Sequence, residues 1–466
     1  MGSAAYPSVR PRLAAPLLLG VWAAVVVLVP DLRLKLILAL PALLVPAALW
    51  TLERPGRWVI CFFAAALLLP PLPIALGNSG PHVCLLFAAV GLLSGVLWSS
   101  RWRVRESQLN AALASLFVLL LASLGPAAFD SGAAVALGSL ARMGLFGIAV
   151  YVFFFTAYGP GAVSDTFAAI RRLYWFAAAS ALIACVDFYF HFPAPTGYGP
   201  QFIWLDSGVY RRAQGMFYEA STLGNFCAFF LILIAVCFVH RRAASPLSRK
   251  ALVAGGALFF AALVLSYSRA SLVNVAVGLC VLAWQNRRRL PLRKLALITA
   301  TGMAAGAFLT WQVFPVFAET YWLRLSASAD FLFSANESLL SGRVASWSTL
   351  AGWLAAHPWQ AFVGIGYKTL PYTNYLGAPV IGDNMYLTLL IETGIAGLAA
   401  LVWLNIAILR AAARASRRSD PQAAFCGTWI LCFWAGQTVQ MFSGDLLTYW
   451  RVLPLYFFVL ALAVRR

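Results

Sequence analysis

The sequence predicts an all-α, polytopic membrane protein with about fourteen transmembrane helices and one large external loop that holds an amphipathic helix. Three observations predict it. The 466 residues are 62% hydrophobic and only 11% charged, a ratio outside the range of soluble domains of this length. The apolar residues fall in repeated runs of about 17–22, long enough to cross a hydrocarbon slab about 30 Å thick. Lys and Arg gather in short clusters between those runs, where they carry topology information. The spans must be helices, because lipid cannot satisfy exposed backbone groups.

In chain order the spans are expected at 13–30, 34–51, 58–76, 82–99, 109–126, 139–157, 173–191, 221–239, 251–267, 270–284, 295–313, 384–409, 423–441 and 452–464. The opening stretch MGSAAYPSVRPRL lacks a cleavage site, so the first span reads as retained. With both termini in the cytoplasm, the loops on that side hold Arg54 and Arg57, Arg101, Arg103 and Arg105, and Arg171 and Arg172. The same side holds Arg241, Arg242, Arg249 and Lys250, then Arg287, Arg288, Arg289, Arg293 and Lys294, then Arg410, Arg414, Arg417 and Arg418. Arg33 and Lys35, in a short external loop, depart from the bias. Four regions result: N-terminal helices (1–200), helices with Arg-bearing external segments (201–313), the large external loop (314–383) and C-terminal helices (384–466).

The formal net charge of +19 is therefore topological rather than a nucleic-acid footprint. The eight cysteines all lie inside apolar runs without metal-ligand spacing. His82, His191, His240 and His357 lie in different loops, which argues against a metal site. Neither a P-loop nor a Ser-His-Asp signal appears. No cofactor is expected, so the energy for a reaction must arrive with the substrate.

Two external segments are long enough to hold structure. Residues 192–220 form a loop rich in Pro, Gly and aromatics. Within 314–383, Ser334 and Glu337 form a capping box ahead of a helix expected at 335–356. Its apolar stripe is Leu340, Val344, Trp347, Ala351 and Leu354, and His357-Pro358 ends it. Arg343 lies about 60° off that stripe by the 3.6-residue turn.

Charges that break the orientation bias cost a few kcal/mol and tend to serve a purpose. On the outer side they include Arg211, Arg212, Arg269, Arg324, Arg343, Lys368 and Arg451, with Asp206, Glu219, Glu319, Asp330, Glu337, Asp383 and Asp445. Arg269 lies in SYSRAS, flanked by Ser266, Ser268 and Ser271; it is either a phosphate ligand or an arginine snorkelling to headgroups. Arg211 and Arg212 open RRAQGMFYEASTLG and are anion ligands or ordinary loop arginines. Glu219 is an acid/base group or an ion-pair partner. Arg343 is a ligand or part of a solvated helix face. Asp383-Asn384 opens the twelfth span, where a helix cap explains one of the pair and proton acceptance explains the other. Glu392 lies about 13 Å deeper by helical rise, which points to pairing inside the bundle. Tyr386, Gly394 and Gly397 read as packing residues.

The stretches RAQGMFYEASTLGNF, LSYSRASLV, SGRVASW, and HPWQAFVGIG with DNMYLTLLIETGIAGL together resemble the O-antigen ligase/polymerase superfamily of bacterial membrane glycosyltransferases over about residues 205–400. The resemblance implies an enzyme of the bacterial inner membrane with its site on the periplasmic face. It would move a glycan from undecaprenyl diphosphate to an acceptor hydroxyl by inverting transfer, without metal or nucleotide. Arg212, Arg269 and Arg343 occupy the family's diphosphate-holding positions, with Arg211 beside them. Ligases of the family carry His where this chain has Asp383, which favours the polymerase branch and a chain-length regulator as partner. Asp383 would then orient or deprotonate the acceptor, with Glu219 as a second acid/base candidate and Asn384 and Glu392 in support. The competing expectations are a ligase that glycosylates lipid A-core or protein, and a transporter of the lipid-linked glycan.

Overall fold

The computed structural model describes residues 14–72, 81–160, 165–192, 199–205, 208–240, 245–287, 308, 311–312, 318–323, 326 and 343–465. Eight helices come first: α1 (Ala14–Leu28), α2 (Leu32–Glu53), α3 (Arg57–Leu68), α4 (Cys84–Leu97), α5 (Gln108–Ala122), α6 (Leu124–Ser131), α7 (Ala133–Tyr158) and α8 (Thr166–Phe190). A hairpin follows, β1 (Phe202–Leu205) and β2 (Gly208–Arg211). Then come α9 (Ala220–Val239), α10 (Arg249–Leu265), α11 (Arg269–Gln285), α12 (Arg343–Ala356), α13 (Gln360–Val363), α14 (Met385–Ala415), α15 (Pro421–Gln440) and α16 (Leu453–Val464).

The chain is a multi-pass helical membrane protein. Among the described residues five helical stretches are long and apolar enough to cross a bilayer: Gln108–Ser131, Ala133–Tyr158, Thr166–Phe190, Ala220–Val239 and Met385–Ala415. Helices occupy the other expected positions too, but α3, α4, α11 and α16 are shorter. The span expected at 295–313 lies almost wholly outside the described residues. The span expected at 58–76 ends early, at Leu68, with Leu69 extended. Pro70 and Pro71 are the cause, since the residue before proline avoids the helical region.

Sequence chemistry sets the helix starts. Ser107, Asp165, Ser248 and Asp420 each accept a backbone N–H of the following first turn, and Pro421 follows its cap at the first helical position. The core forms around α9 and α16. Most of α9 and nearly every residue of α16 are buried, so they read as apolar on most sides rather than amphipathic. Helix α11 packs along α15, α16 along α7, and α14 along α5 and α15. The Phe229 ring stacks on Trp429 at 4.2 Å and meets Tyr456 at 4.7 Å.

A buried amide network crosses this apolar core. Asn225 Nδ2 donates to Gln437 Oε1 at 2.6 Å and Gln440 Oε1 at 2.8 Å. Asn274 Nδ2 reaches the same two oxygens, and Tyr456 OH donates to Asn225 Oδ1. Four helices, α9, α11, α15 and α16, are thereby held in register beneath the polar end of the bundle. Interhelical polar contacts of this kind are worth about 0.6–2 kcal/mol each in a membrane.

The first external segment, long enough by sequence to hold structure, contains a hairpin. Phe202–Leu205 pairs antiparallel with Gly208–Arg211, Phe202 opposite Arg211. Alternation along a strand then aims neighbouring Arg211 and Arg212 in different directions.

Candidate functional site

The site grows from three chain crossings. The first joins the hairpin to the α10–α11 turn. Ala213 N donates to Leu265 O at 2.9 Å, and Arg212 Nε donates to Ser266 O at 2.9 Å. These bonds bring Arg212 beside Arg269, the first residue of α11. The turn itself is tight, with Tyr267 in the left-handed region at φ 51°. Ser266, Ser268 and Ser271 are buried and serve that turn. Ser268 N donates to Ser266 Oγ, the Ser268 and Ser271 hydroxyls share a 2.8 Å bond, and all three seat on Gly224. The polar flank of Arg269 is thus turn architecture rather than a row of ligand donors.

The second crossing sets α12 over the start of α14. Arg343 Nε donates to Asp383 Oδ2 at 3.1 Å. One turn along α12, Trp347 Nε1 donates to Gly382 O at 2.7 Å. The buried face of α12 centres on Leu350, which packs with Ile365, Leu370 and Ile391. Seven residues are close to two turns, so Arg343 lies in line with Leu350. This corrects the expected geometry: Ala351 is exposed, and Arg343 extends the buried face instead of standing off it. The helix ends at Ala356, as His357-Pro358 predicts. The expected first turns, 335–342, with the Ser334/Glu337 capping box, lie outside the described residues, as do Arg324, Asp206 and Asp330.

Asn384 is the cap of α14, its Oδ1 accepting from Tyr386 N at 3.1 Å and Leu387 N at 3.2 Å. Asp383 is therefore relieved of capping and sits in the left-handed region at φ 43°. Backbone of that kind in a residue other than Gly is uncommon and collects at functional sites. Four such residues occur among those described, and three of them, Tyr267, Lys368 and Asp383, border this polar end.

The third crossing threads Gly364–Gly366 beneath α14. Gly394 interrupts that helix at φ 69°. The carbonyls freed at Ile391 and Glu392 accept from Ile365 N at 3.0 Å and Gly366 N at 2.8 Å. A Cβ at Gly364 would strike Glu392 O, and one at Gly394 would strike Phe362 O. VGIG and ETGIAG are therefore one interlocked unit. Glu392 is buried, its Oε1 accepting from Leu370 N at 3.3 Å, while its Oε2 has no hydrogen-bond partner among the described residues.

The same segment delivers Lys368, which ion-pairs with Asp445. Sequence reasoning placed both on the outer side without assigning them to the site. Tyr449, buried nearby, gave no signal in the sequence.

The charges act on one another. Burial pulls the Arg212 pKa down to about 10, and the guanidiniums of Arg343 and Arg269 add to that pull, against Tyr449 and Glu219. Arg269 also feels the charge of Arg343. Burial pushes the Glu219 carboxyl up, with Asp383 and Asp445 pushing the same way, while the Ser221 hydrogen bond and Lys368 oppose them. The Ser221 bond runs from Oγ to Glu219 Oε2 at 2.8 Å. Three arginines, two of them contributed by loop–helix junctions, thus share one electrostatic neighbourhood with Glu219 and Asp383. Clustered perturbed groups of this kind are a mark of functional sites.

Arg211 does not join them. Its guanidinium reaches both oxygens of Asp187 at 3.2 Å, and both side chains are largely buried. Arg211, expected beside the diphosphate-holding arginines, is turned toward α8 by strand alternation. Arg451 is likewise engaged, donating to Ala66 O, Leu69 O and Met216 O. It closes the C-terminal end of α3, where unpaired carbonyls favour a cation. Among the described residues no group of His, Cys, Asp and Glu is arranged to hold a metal ion.

A cluster of like-charged guanidiniums beside a carboxylate suits a polyanion that must be held while a proton is moved. A comparison with curated proteins finds no match. Residues 254–402 match the family model described as O-antigen ligase, a stretch that includes Arg269, Arg343, Asp383, Asn384 and Glu392.

Proposed function

We propose that the protein is a metal- and nucleotide-independent glycosyltransferase that joins undecaprenyl-diphosphate-linked repeat units on the periplasmic face of the bacterial inner membrane. The observation that carries this reading is the shared neighbourhood of Arg212, Arg269 and Arg343 with Asp383 on Arg343. Arg212 and Arg269 each feel the charge of Arg343, and a diphosphate relieves repulsion of that kind.

The chemistry follows from these positions. The acceptor hydroxyl oxygen bonds to the anomeric carbon as the bond from that carbon to the phosphate oxygen breaks. The lipid diphosphate leaves with both electrons, and the arginines neutralise the charge that develops on it. Asp383 takes the acceptor's proton. Arg343 Nε donates to Asp383 Oδ2 at 3.1 Å. An arriving diphosphate competes for that guanidinium and releases the carboxylate, so donor binding arms the base. Glu219, raised by burial, is the second acid/base candidate. The substrate of this reading is the lipid-linked glycan, with surrounding lipid and a chain-length regulator as partners.

Asp383, in place of the family's His, favours the polymerase. The description of the matching family as a ligase favours the second reading, transfer to lipid A-core or protein. A transporter would carry paired broken helices related by an internal repeat; α14 is broken at Gly394, but no repeat is visible in the sequence. Deleting the gene distinguishes the readings. A polymerase deletion leaves single repeat units on the surface, whereas a ligase deletion strands full-length polymer on its carrier. Normal long-chain surface glycan in the deletion strain contradicts both.

A further inference from the structure

A second basic cluster lies at the opposite end of the bundle. Beyond its break at Gly394, α14 alone carries the chain about 30 Å further to Arg414 by helical rise. There, a cavity of about 550 Å³ opens between the ends of α5, α7, α14 and α16. Arg101, Arg103, Arg105, Arg414, Arg418 and Arg465 line it, with Glu106 as the one acidic residue. Among the described residues, Arg101, Arg103, Arg105, Arg414 and Arg418 have no carboxylate at ion-pair distance.

The orientation bias accounts for arginines on this side, but not for a chamber built from them. Its walls are fixed by backbone bonds. Arg103 N donates to Tyr158 O at 3.1 Å. Asn110 Nδ2 donates to Arg105 O at 2.6 Å and Tyr158 OH at 3.0 Å. Arg418 donates to Arg465 O at 2.8 Å and Ala463 O at 3.2 Å. The loop before α5 and the ends of α14 and α16 are therefore preorganised, with Arg101, which stacks over Trp98 at 4.3 Å, Arg103, Arg105 and Arg414, whose Nε donates to Arg410 O at 3.3 Å, around one space. Leu109, Ala157, Ala411 and Val464 give it an apolar wall.

We infer that this cavity binds an anion carrying two phosphate groups. One phosphate neither fills the volume nor balances the charge. The chemistry is shared by a bisphosphorylated lipid headgroup, which the apolar wall suits, and by a soluble diphosphate.

The test uses the full-length protein purified in detergent, with cardiolipin and inorganic diphosphate as separate probes and native mass spectrometry as readout. The variant Arg103→Gln/Arg105→Gln/Arg414→Gln spares Arg418, which holds the α16 end. The control, Arg249→Gln/Lys250→Gln, removes two exposed charges outside the cavity at the start of α10. Both must match the wild type in melting temperature; if the triple variant does not, Arg103→Gln/Arg414→Gln replaces it. Cardiolipin binding that falls about tenfold or more in the cavity variant and under about twofold in the control supports the site with a lipid source. The same pattern with inorganic diphosphate supports it with a soluble source. Equal losses in the two variants, or no binding of either probe by the wild type, overturn the proposal.

Discussion

Arg343 and Asp383 meet at 3.1 Å, Nε to Oδ2, across the junction between α12 and the start of α14. Both side chains stay partly open to solvent, 29% and 44%, so the pair is accessible to a ligand rather than sealed. An exposed pair of this kind adds little stability, about 0–1 kcal/mol. Its interest is chemical: it ties the proposed base to one of the proposed diphosphate ligands.

Replacing Arg212, Arg269 or Arg343 by alanine is expected to abolish chain growth while the protein still inserts. Arg269→Lys stays impaired, because an ammonium does not reproduce the bidentate fork. Arg211→Ala separates from these: it breaks the buried pair with Asp187 and lowers stability while activity per folded molecule is kept. Surface-glycan gels and membrane-fraction yields, read together, check all five variants.

Asp383→Asn retains the polar shape and leaves the cap untouched, since Asn384 is the cap. Turnover should fall by about 100-fold or more, the contribution expected of a positioned base, with little change in melting temperature. Asn384→Ala should do the reverse, costing about 1 kcal/mol of stability. Wild-type chain lengths in Asp383→Asn would remove Asp383 from the chemistry.

Glu219 supplies a pH test. Its pKa is raised in the folded protein by burial first and by Asp383 and Asp445 next. The native state therefore holds this proton over a range in which the unfolded chain, at about 4.3, has lost it. The stability so gained is fully present below about pH 4.3 and is lost as pH rises through the raised value. Glu219→Gln should remove that dependence and be less destabilised than wild type on going from acidic to neutral pH. If Glu219 also takes the reaction proton, the acid limb of the rate profile disappears with it. Thermal melts and rates across pH, measured on the same preparations, separate the two effects.

Lys368 and Asp445 form a buried pair, with 8% and 16% of the side chains exposed. Lys368→Ala leaves Asp445 uncompensated and should cost about 3–5 kcal/mol, whereas Lys368→Met/Asp445→Leu should regain much of it. Denaturation of the two variants in detergent decides this.

The VGIG–ETG crossing makes a sharper prediction. Gly364→Ala and Gly394→Ala each force a Cβ into the facing backbone at a positive φ, at a cost of about 2–4 kcal/mol. Gly352→Ala, with open space at its Cβ, should be neutral or slightly stabilising in the middle of α12. Expression and melting temperature of the three variants check it.

The helices were legible because apolar runs of bilayer length have few other uses, and Ser107, Asp165, Ser248 and Asp420 mark four of the starts. Arg212, Arg269, Arg343 and Asp383 stood out as charges in a chain with few of them. Which of them meet was not legible. Arg211 and Arg212 are neighbours in sequence, yet one faces Asp187 and the other Ser266, a consequence of a hairpin that Gly- and Pro-rich composition concealed. The face of α12 was misjudged by one position because Leu350, not Ala351, fills the gap left by Ile365 and Ile391. The Asn225–Gln437–Asn274 network escaped notice because its members are scattered over four apolar runs and acquire meaning only when the helices pack.

The most direct test of the central claim is binding of undecaprenyl diphosphate to the purified protein, compared across Arg211→Ala, Arg212→Ala, Arg269→Ala and Arg343→Ala. The account predicts that each of the last three weakens binding by about tenfold or more while Arg211→Ala, once corrected for folded fraction, stays within about twofold. Undiminished binding in Arg212→Ala, Arg269→Ala and Arg343→Ala would contradict it.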